Sequence, residues 1–269
     1  NSNIDYIKDL DELPFPARDL FPIEKYFEIN AQYSIFKSKK SRRMAIITSR
    51  GCPAKCTYCS SSRYWGPIYR PRSPENILAE MKLLKEKYGI NELDILDDNF
   101  TFDNKRFGKI ANLMIGNNLN LKWFLPNGVA LYTLNEEMIA LMKKSGCDTA
   151  FIAVESGNQN TLYNLMRKPL DLKKVPELCR LFKKYQIKAP AFFIVGMPGE
   201  SFSDIKDTFD FAAKIGVDMP LFNYATPFPG TELYKLCVKN GYIKKDYYLD
   251  AEYSVANIST PEWSNKELS

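Results

Sequence analysis

Six times between residues 43 and 240, a short apolar run is followed by a helix-length amphipathic stretch. The apolar runs cover 44–48, 92–97, 121–125, 149–155, 189–196 and 219–225. The helical patterns cover 74–88, 103–117, 134–145, 158–166, 171–185, 203–215 and 231–240. Strands that alternate with helices pair in parallel, because each helix carries the chain back across the sheet. Runs such as Phe192-Phe193-Ile194-Val195 are apolar at successive positions, as in strands covered on both faces. A full eight-unit barrel needs more chain than this, and no G-x-G-x-x-G follows the first strand. The expected fold is α/β: a partial (β/α)6 TIM-like barrel of parallel strands with helices outside, plus an N-terminal extended strap. Expected boundaries are 1–42 for the strap, 43–240 for the core and 241–269 for a C-terminal extension.

Local signals support that reading. Ser73 is an N-cap with Pro74 at the first helical position, and Gly89 closes the same helix. Leu172, Val175, Cys179, Phe182 and Tyr185 form one apolar stripe. The first 35 residues are rich in proline and aromatics, with no long periodic pattern. Ser264 and Glu267 have the spacing of a capping box just before the chain stops at Ser269. With Asn1 rather than methionine in front, both ends read as cut, and the expectation is a catalytic core lacking parts that choose the substrate.

Composition excludes whole classes of chemistry. There is no histidine among the 269 residues. That removes Ser-His-Asp and Cys-His triads, histidine bases and histidine metal ligands. A net charge of +5 is too mild to mark a nucleic-acid surface, and no apolar stretch is long enough to span a bilayer. The basic cluster of Lys37, Lys39, Lys40, Arg42 and Arg43 reads as a solvated loop before a strand. Cys147, Cys179 and Cys237 are isolated in or beside apolar helical patterns and read as small core residues. A cytoplasmic location is expected, since clustered cysteines in a chain this large indicate metal binding before disulfides.

The remaining three cysteines are clustered. Cys52, Cys56 and Cys59 are spaced C-x3-C-x2-C, which supplies three thiolates from one loop and no fourth. Three sulfurs can hold three corners of a [4Fe–4S] cube and leave one iron open, whereas ferredoxin-type carriers close that corner with a fourth cysteine. In a parallel barrel the functional groups gather at the carboxyl ends of the strands. Those ends are polar throughout: the cysteines after the first run, then Asp97, Asp98 and Asn99, then Asn127 and Gly128, then Glu155, Ser156 and Gly157. Gly196, Pro198, Gly199 and Glu200 follow the fifth run, and Thr226, Pro227, Pro229 and Gly230 the sixth. Side chains alternate along a strand, so only one of Asp97 and Asp98 can face inward.

Over residues 44–240 the chain resembles the radical S-adenosylmethionine (SAM) superfamily. The resemblance rests on Ser49 to Cys59 for the cluster loop, with the aromatic Tyr58 before the last cysteine, and on Leu96 to Thr101 at the second strand end. It continues in Ile152-Ala153-Val154-Glu155-Ser156-Gly157, in Phe193 to Glu200 and in Thr226 to Thr231. The series is most similar to the cobalamin-binding subgroup that includes anaerobic magnesium-protoporphyrin ester cyclases. Residues 11–19 resemble the segment that joins a cobalamin domain to the barrel in such proteins. Two departures stand out: Ala153 where glycine is common, and Ala130-Leu131 where related sequences often carry arginine.

The resemblance implies a [4Fe–4S] cluster on Cys52, Cys56 and Cys59, SAM on its open iron and an external one-electron reductant. It also implies an oxygen-sensitive enzyme acting on a small-molecule or other unknown substrate. SAM would meet Tyr58 at its adenine, Asp97 or Asp98 at its ammonium, Glu155 and Ser156 at the ribose or ammonium, and Gly196 and Met197 at the adenine. Methyl transfer or cyclisation with cobalamin, through a domain absent from this chain, is one expectation; a cobalamin-independent enzyme is the alternative. Two further rivals are a zinc-stabilised binding module and an electron-transfer module. Phe124, Tyr132, Phe222 and Tyr224 are candidates for an apolar pocket. Lys55 reads as a solvated charge.

Overall fold

The computed structural model describes residues 6–33, 41–244 and 252–269, with side chains from residue 30 to 33 left aside. Lys37, Lys39 and Lys40 of the basic cluster lie outside the described residues. Eight strands are present among them. β1 is Arg43–Ile46, β2 is Ser49–Arg50, β3 is Arg70–Pro71, β4 is Glu92–Ile95, β5 is Lys122–Val129, β6 is Cys147–Glu155, β7 is Ala191–Val195 and β8 is Pro220–Tyr224. Six form one sheet in the order β1-β4-β5-β6-β7-β8, while β2 and β3 make a small antiparallel ribbon. Every pairing in the main sheet is parallel. Each strand lies beside its predecessor in the alternating series, and β1 and β8 form the two ends. The (β/α)6 expectation holds.

Six helices cross over the outside of this sheet: α3 (Pro74–Tyr88), α4 (Asn104–Gly116), α5 (Glu136–Lys144), α6 (Val175–Lys184), α7 (Phe202–Lys214) and α8 (Glu232–Asn240). Ser73 caps α3 as predicted, and four other helices start in the same way. Ser73, Asp103, Asn135, Ser201 and Thr231 each accept a backbone N–H of the first turn of α3, α4, α5, α7 and α8. Gly89 ends α3 with φ 62°. The core lies between helices and sheet, where Ile77, Met81 and Leu84 of α3 meet Leu93 and Ile95 of β4 in one continuous apolar cluster. Such side chains contribute about 1.5–3 kcal/mol each when fully buried. Cys147, Cys179 and Cys237 are buried in it as free thiols.

Three local readings differ from the structure. The strap is not extended throughout, because Arg18–Leu20 forms a 3-10 turn and α1 spans Ile23–Tyr33. Phe27 of α1 is buried in the core beneath the Arg42 guanidinium, which stacks 4.2 Å from its ring centroid and also pairs with Glu24. A single tertiary anchor of this kind leaves little periodic trace. Second, a short helix α2, Ser61–Tyr64, follows the cysteine loop. Third, the helix expected at 158–166 contains a π-helical turn, Thr161–Leu165. Its last carbonyls are taken from outside: Thr57 Oγ1 donates to Leu165 O at 2.7 Å and Thr57 N to Met166 O at 3.0 Å. At the chain end, α9 (Asn265–Leu268) carries the predicted Ser264–Glu267 capping box.

Candidate active site

The carboxyl ends of the main strands surround a cavity of about 610 Å³, lined in part by Cys52, Cys56 and Cys59. The loop that carries the cysteines is tightly fitted. Gly51 has φ +86°, and a Cβ there would lie 2.1 Å from the Ile68 carbonyl oxygen, so only glycine allows the approach. Within the loop, Cys52 N donates to Gly66 O at 3.3 Å and Thr57 O accepts from Leu233 N at 2.9 Å. With its two bonds to the π turn, Thr57 therefore ties the cysteine loop both to the segment after β6 and to the start of α8. Lys55 is exposed, as its reading as a solvated charge requires.

Cys52 and Cys56 are poor nucleophiles as they stand. Burial pushes Cys52 up to about 11, with smaller contributions from the neighbouring Cys59 and Asp98, and burial likewise raises Cys56. Such groups ionise only when a strong positive centre compensates for their desolvation, which bound iron supplies. Three thiols from one loop, with no fourth cysteine beside them and no histidine in the chain, suit a cluster with one open iron better than a closed four-ligand zinc site.

The two candidate aspartates have different surroundings. Asp97 is buried beneath the rim: Oδ1 accepts from Thr48 N at 2.6 Å, and Oδ2 accepts from Thr48 Oγ1 and Ser49 Oγ, both at 2.5 Å. Arg106 Nη2 donates to Thr48 O at 2.6 Å and completes the network. Asp97 thus braces the turn that leads into the cysteines, with both carboxylate oxygens already taken by Thr48 and Ser49. Asp98 lines the cavity, with Oδ2 buried and without a partner. Burial raises its pKa against a hydrogen bond from Ser61. The neighbouring Asn99 also lines the cavity, and its Oδ1 is likewise buried without a partner.

The same cavity is lined by an ion pair. Lys168 Nζ lies 3.0 Å from Glu155 Oε1, with both side chains under one-tenth exposed. Glu155 sits at φ +72°, in the left-handed region rarely used by side-chain-bearing residues, and at a register shift between β6 and β7. Strain of this kind persists where surrounding structure imposes it, commonly at functional sites. Burial works against the Lys168 ammonium, but the charges of Glu155 and Cys56 hold its pKa above the ordinary lysine value. Tyr58 lines the same wall; burial, then the nearby Glu155 and cysteines, push its phenol well above the usual range.

Ser156, Gly196 and Met197 take no part in the cavity wall. Ser156 is fully buried, with its hydroxyl 3.0 Å from Thr208 Oγ1 of α7, and Gly157 sits so close that a Cβ would lie 2.5 Å from Phe211 Cβ. This Ser-Gly pair packs a helix. Gly196 is covered by the C-terminal segment: a Cβ there would lie 2.5 Å from Leu268 Cδ2 and 3.5 Å from the Trp263 ring. Met197 is buried and its N–H donates to Glu200 Oε2 at 2.7 Å. Of the aromatic candidates, Tyr132 and Tyr224 line the cavity. Phe124 stacks under Arg43 instead, and Phe222 stacks on Phe193.

Lys168 and the Thr57 clamp belong to no motif in the sequence; Lys168 leaves one trace, as a cation beside Pro169 in an otherwise apolar stretch from Leu165 to Leu170. Asn99, one of the polar strand-end residues, lines the cavity as that position implies.

A family profile described as the radical SAM superfamily matches residues 46–212. The chain is 34% identical over 268 residues to the cytidylyl-2-hydroxyethylphosphonate methyltransferase of Streptomyces wedmorensis, covering 97% of this chain and 50% of that protein. It is 25% identical to the anaerobic magnesium-protoporphyrin IX monomethyl ester cyclase of Rubrivivax gelatinosus, covering 80% of this chain and 40% of that one. The chain thus spans about half the length of the curated relatives it matches. Among solved structures it resembles the radical SAM methyltransferase TsrM from Kitasatospora setae, described with cobalamin and a [4Fe–4S] cluster bound. The TM-score is 0.67 at 18% identity, over 73% of this chain and 36% of that one.

Proposed function

Because this chain belongs to the radical SAM superfamily, we propose that its cavity holds a [4Fe–4S] cluster on Cys52, Cys56 and Cys59 with SAM beside it, and that it acts on a small-molecule substrate. When bound and reduced by an external one-electron donor, that pair supplies a 5′-deoxyadenosyl radical, chemistry that belongs to the cofactors. The protein's part is to bind, orient and exclude water. Asp98 offers its unpartnered Oδ2 to the SAM ammonium. Lys168 offers the buried cation for the SAM carboxylate, and Glu155 holds Lys168 while accepting from the ribose or ammonium. Tyr58 presents its ring to the adenine. The single observation that carries this reading is the convergence of three thiols, the orphaned Asp98 oxygen and the buried Lys168–Glu155 pair on one cavity.

We place the catalytic core at residues 43–240. The names of the relatives favour methyl transfer or cyclisation within the cobalamin-binding subgroup. An open iron also calls for a reducing, oxygen-poor setting, so the cytoplasm is the expected compartment; among the described residues no helix is long and apolar enough to cross a membrane.

The test is anaerobic purification and reconstitution, followed by iron and sulfide analysis and electron paramagnetic resonance with and without SAM. About four irons per chain and a signal that shifts on SAM addition are expected. A colourless protein holding one zinc would end the reading. Cobalt bound to the natural full-length protein separates the cobalamin-dependent reading from the cobalamin-independent one.

A further inference from the structure

Arg70 of β3 is 7% exposed and, among the described residues, no carboxylate pairs with it. A buried cation without a counter-charge is held only where other groups take its donors. Here two carbonyls do so: Nη1 donates to Ile7 O at 2.8 Å and Nη2 to Trp65 O at 2.5 Å. The Tyr6 ring covers the guanidinium, with Cζ 4.6 Å from the ring centroid. Tyr6 and Ile7 belong to the N-terminal strap, and Trp65 caps the end of α2, just after the cysteine loop. One side chain therefore ties the strap to that turn.

The turn bears directly on Cys52. The Gly66 carbonyl, next in the chain, accepts Cys52 N at 3.3 Å. The Tyr6 ring also packs onto Gly66, where a Cβ would lie 2.7 Å from Tyr6 Cε2. On the near side of Cys52, the β2–β3 ribbon pairs Arg50 with Arg70 itself. Both backbone supports of Cys52 thus meet at Arg70.

The strap is itself well fixed. Leu10 is buried, Asp11 Oδ1 accepts from Ser73 N at 3.0 Å, and Arg18 Nη1 lies 2.8 Å from Glu80 Oε1. The contacts of residues 7, 11 and 18 advance in step along β3 and α3, so the strap is a fixed rail beside them. Without the Tyr6 ring and the Ile7 carbonyl, Arg70 would face water with no carboxylate to retain it, and its hold on Trp65 O would weaken.

We propose that Tyr6 and Arg70 are positioning residues of the cluster site: through the Arg70 guanidinium, the strap fixes the Trp65–Gly66 turn against Cys52 and so sets one corner of the cluster. This rests on reading Cys52, Cys56 and Cys59 as the cluster ligands.

Hydrogen exchange of the iron-free chain, followed by mass spectrometry of peptides covering residues 50–66, is measured beside electron paramagnetic resonance of the reconstituted chain. Tyr6→Ala should speed exchange over residues 50–66 about tenfold, leave α6 unchanged, and broaden or shift the cluster signal. Tyr6→Phe keeps the ring and should match the parent in both measurements. Arg70→Met should act in the same direction as Tyr6→Ala. Should it fail to fold, Arg70→Lys, which keeps the charge but not the fork that spans two carbonyls, should show a smaller rise in exchange. Parent-like exchange or a parent-like signal in Tyr6→Ala overturns the proposal. An equal rise in α6 also overturns it, since that marks general loosening. A parent chain that takes up no cluster, with the exchange difference intact, counts against the cluster reading and leaves the positioning of Cys52 standing.

Discussion

Lys168 Nζ lies 3.0 Å from Glu155 Oε1 in the wall of the cavity, with side-chain exposures of 7% and 9%. The pair joins a strained β6 terminus to the loop after the π turn, so it links two segments as well as two charges. Removing one partner leaves the other buried and unpaired. Lys168→Met in the iron-free chain should therefore lower stability by about 3–5 kcal/mol in urea unfolding, and adding Glu155→Leu should recover part of that loss. A single-variant loss below about 1 kcal/mol would show that the pair is not energetically coupled.

The two adjacent aspartates should separate cleanly. Asp97→Asn strips a charged acceptor from Thr48 and Ser49 and should cost about 2–3 kcal/mol of stability. Asp98→Asn should leave stability nearly unchanged and weaken SAM retention about tenfold, one charge-assisted hydrogen bond's worth. Equilibrium dialysis and thermal melts on both variants decide it, and reversed phenotypes would refute the assignment.

Thr57 should behave as a clamp on the cysteine loop. Thr57→Val keeps the shape, removes the 2.7 Å bond to Leu165 O and leaves a carbonyl unsatisfied. The expected result is a loss of about 1 kcal/mol in stability together with a broadened or shifted resonance signal of the reconstituted cluster. Thr57→Ser should restore both. An unaltered signal in the valine variant would make the clamp dispensable.

Glu200 carries a pH dependence. It is buried, and burial lifts its carboxyl from 4.5 to about 7 against hydrogen bonds from the Met197 and Gly196 backbone. A carboxyl with a higher pKa folded than unfolded binds its proton more tightly in the folded chain. Its contribution is complete below about 4.5 and disappears as pH climbs through about 7. Unfolding free energy should fall across that window by at most about 3 kcal/mol on its account. Because Trp263 Nε1 donates to Glu200 O at 2.9 Å, tryptophan fluorescence of the C-terminal segment should report the same transition. Glu200→Gln should flatten the slope; an undiminished slope in that variant would place the titration elsewhere.

Much of the fold was legible because its rules are local. Ser73 and the Ser264–Glu267 pair announce helix starts by side-chain chemistry that operates within one turn. The apolar strands, alternating with helices, leave little choice but a parallel sheet. What failed locally depended on distant partners. α1 is anchored by Phe27 and Arg42, and the π turn is held by Thr57, more than 100 residues earlier in the chain.

The same division applies to the site. That three thiols share one loop, that no histidine can assist them, and that the strand ends are polar can all be read along the chain. Each of these is a matter of spacing or composition. Which polar ends meet is a matter of packing. It turned Asp97 under the rim and Asp98 into the cavity, gave Ser156 to α7, covered Gly196 with Leu268, and brought Lys168 to Glu155. The physical reason is that a side chain's direction depends on pleat, bulge and the neighbour that claims its hydrogen bond, and those neighbours are set by packing between elements far apart in the chain.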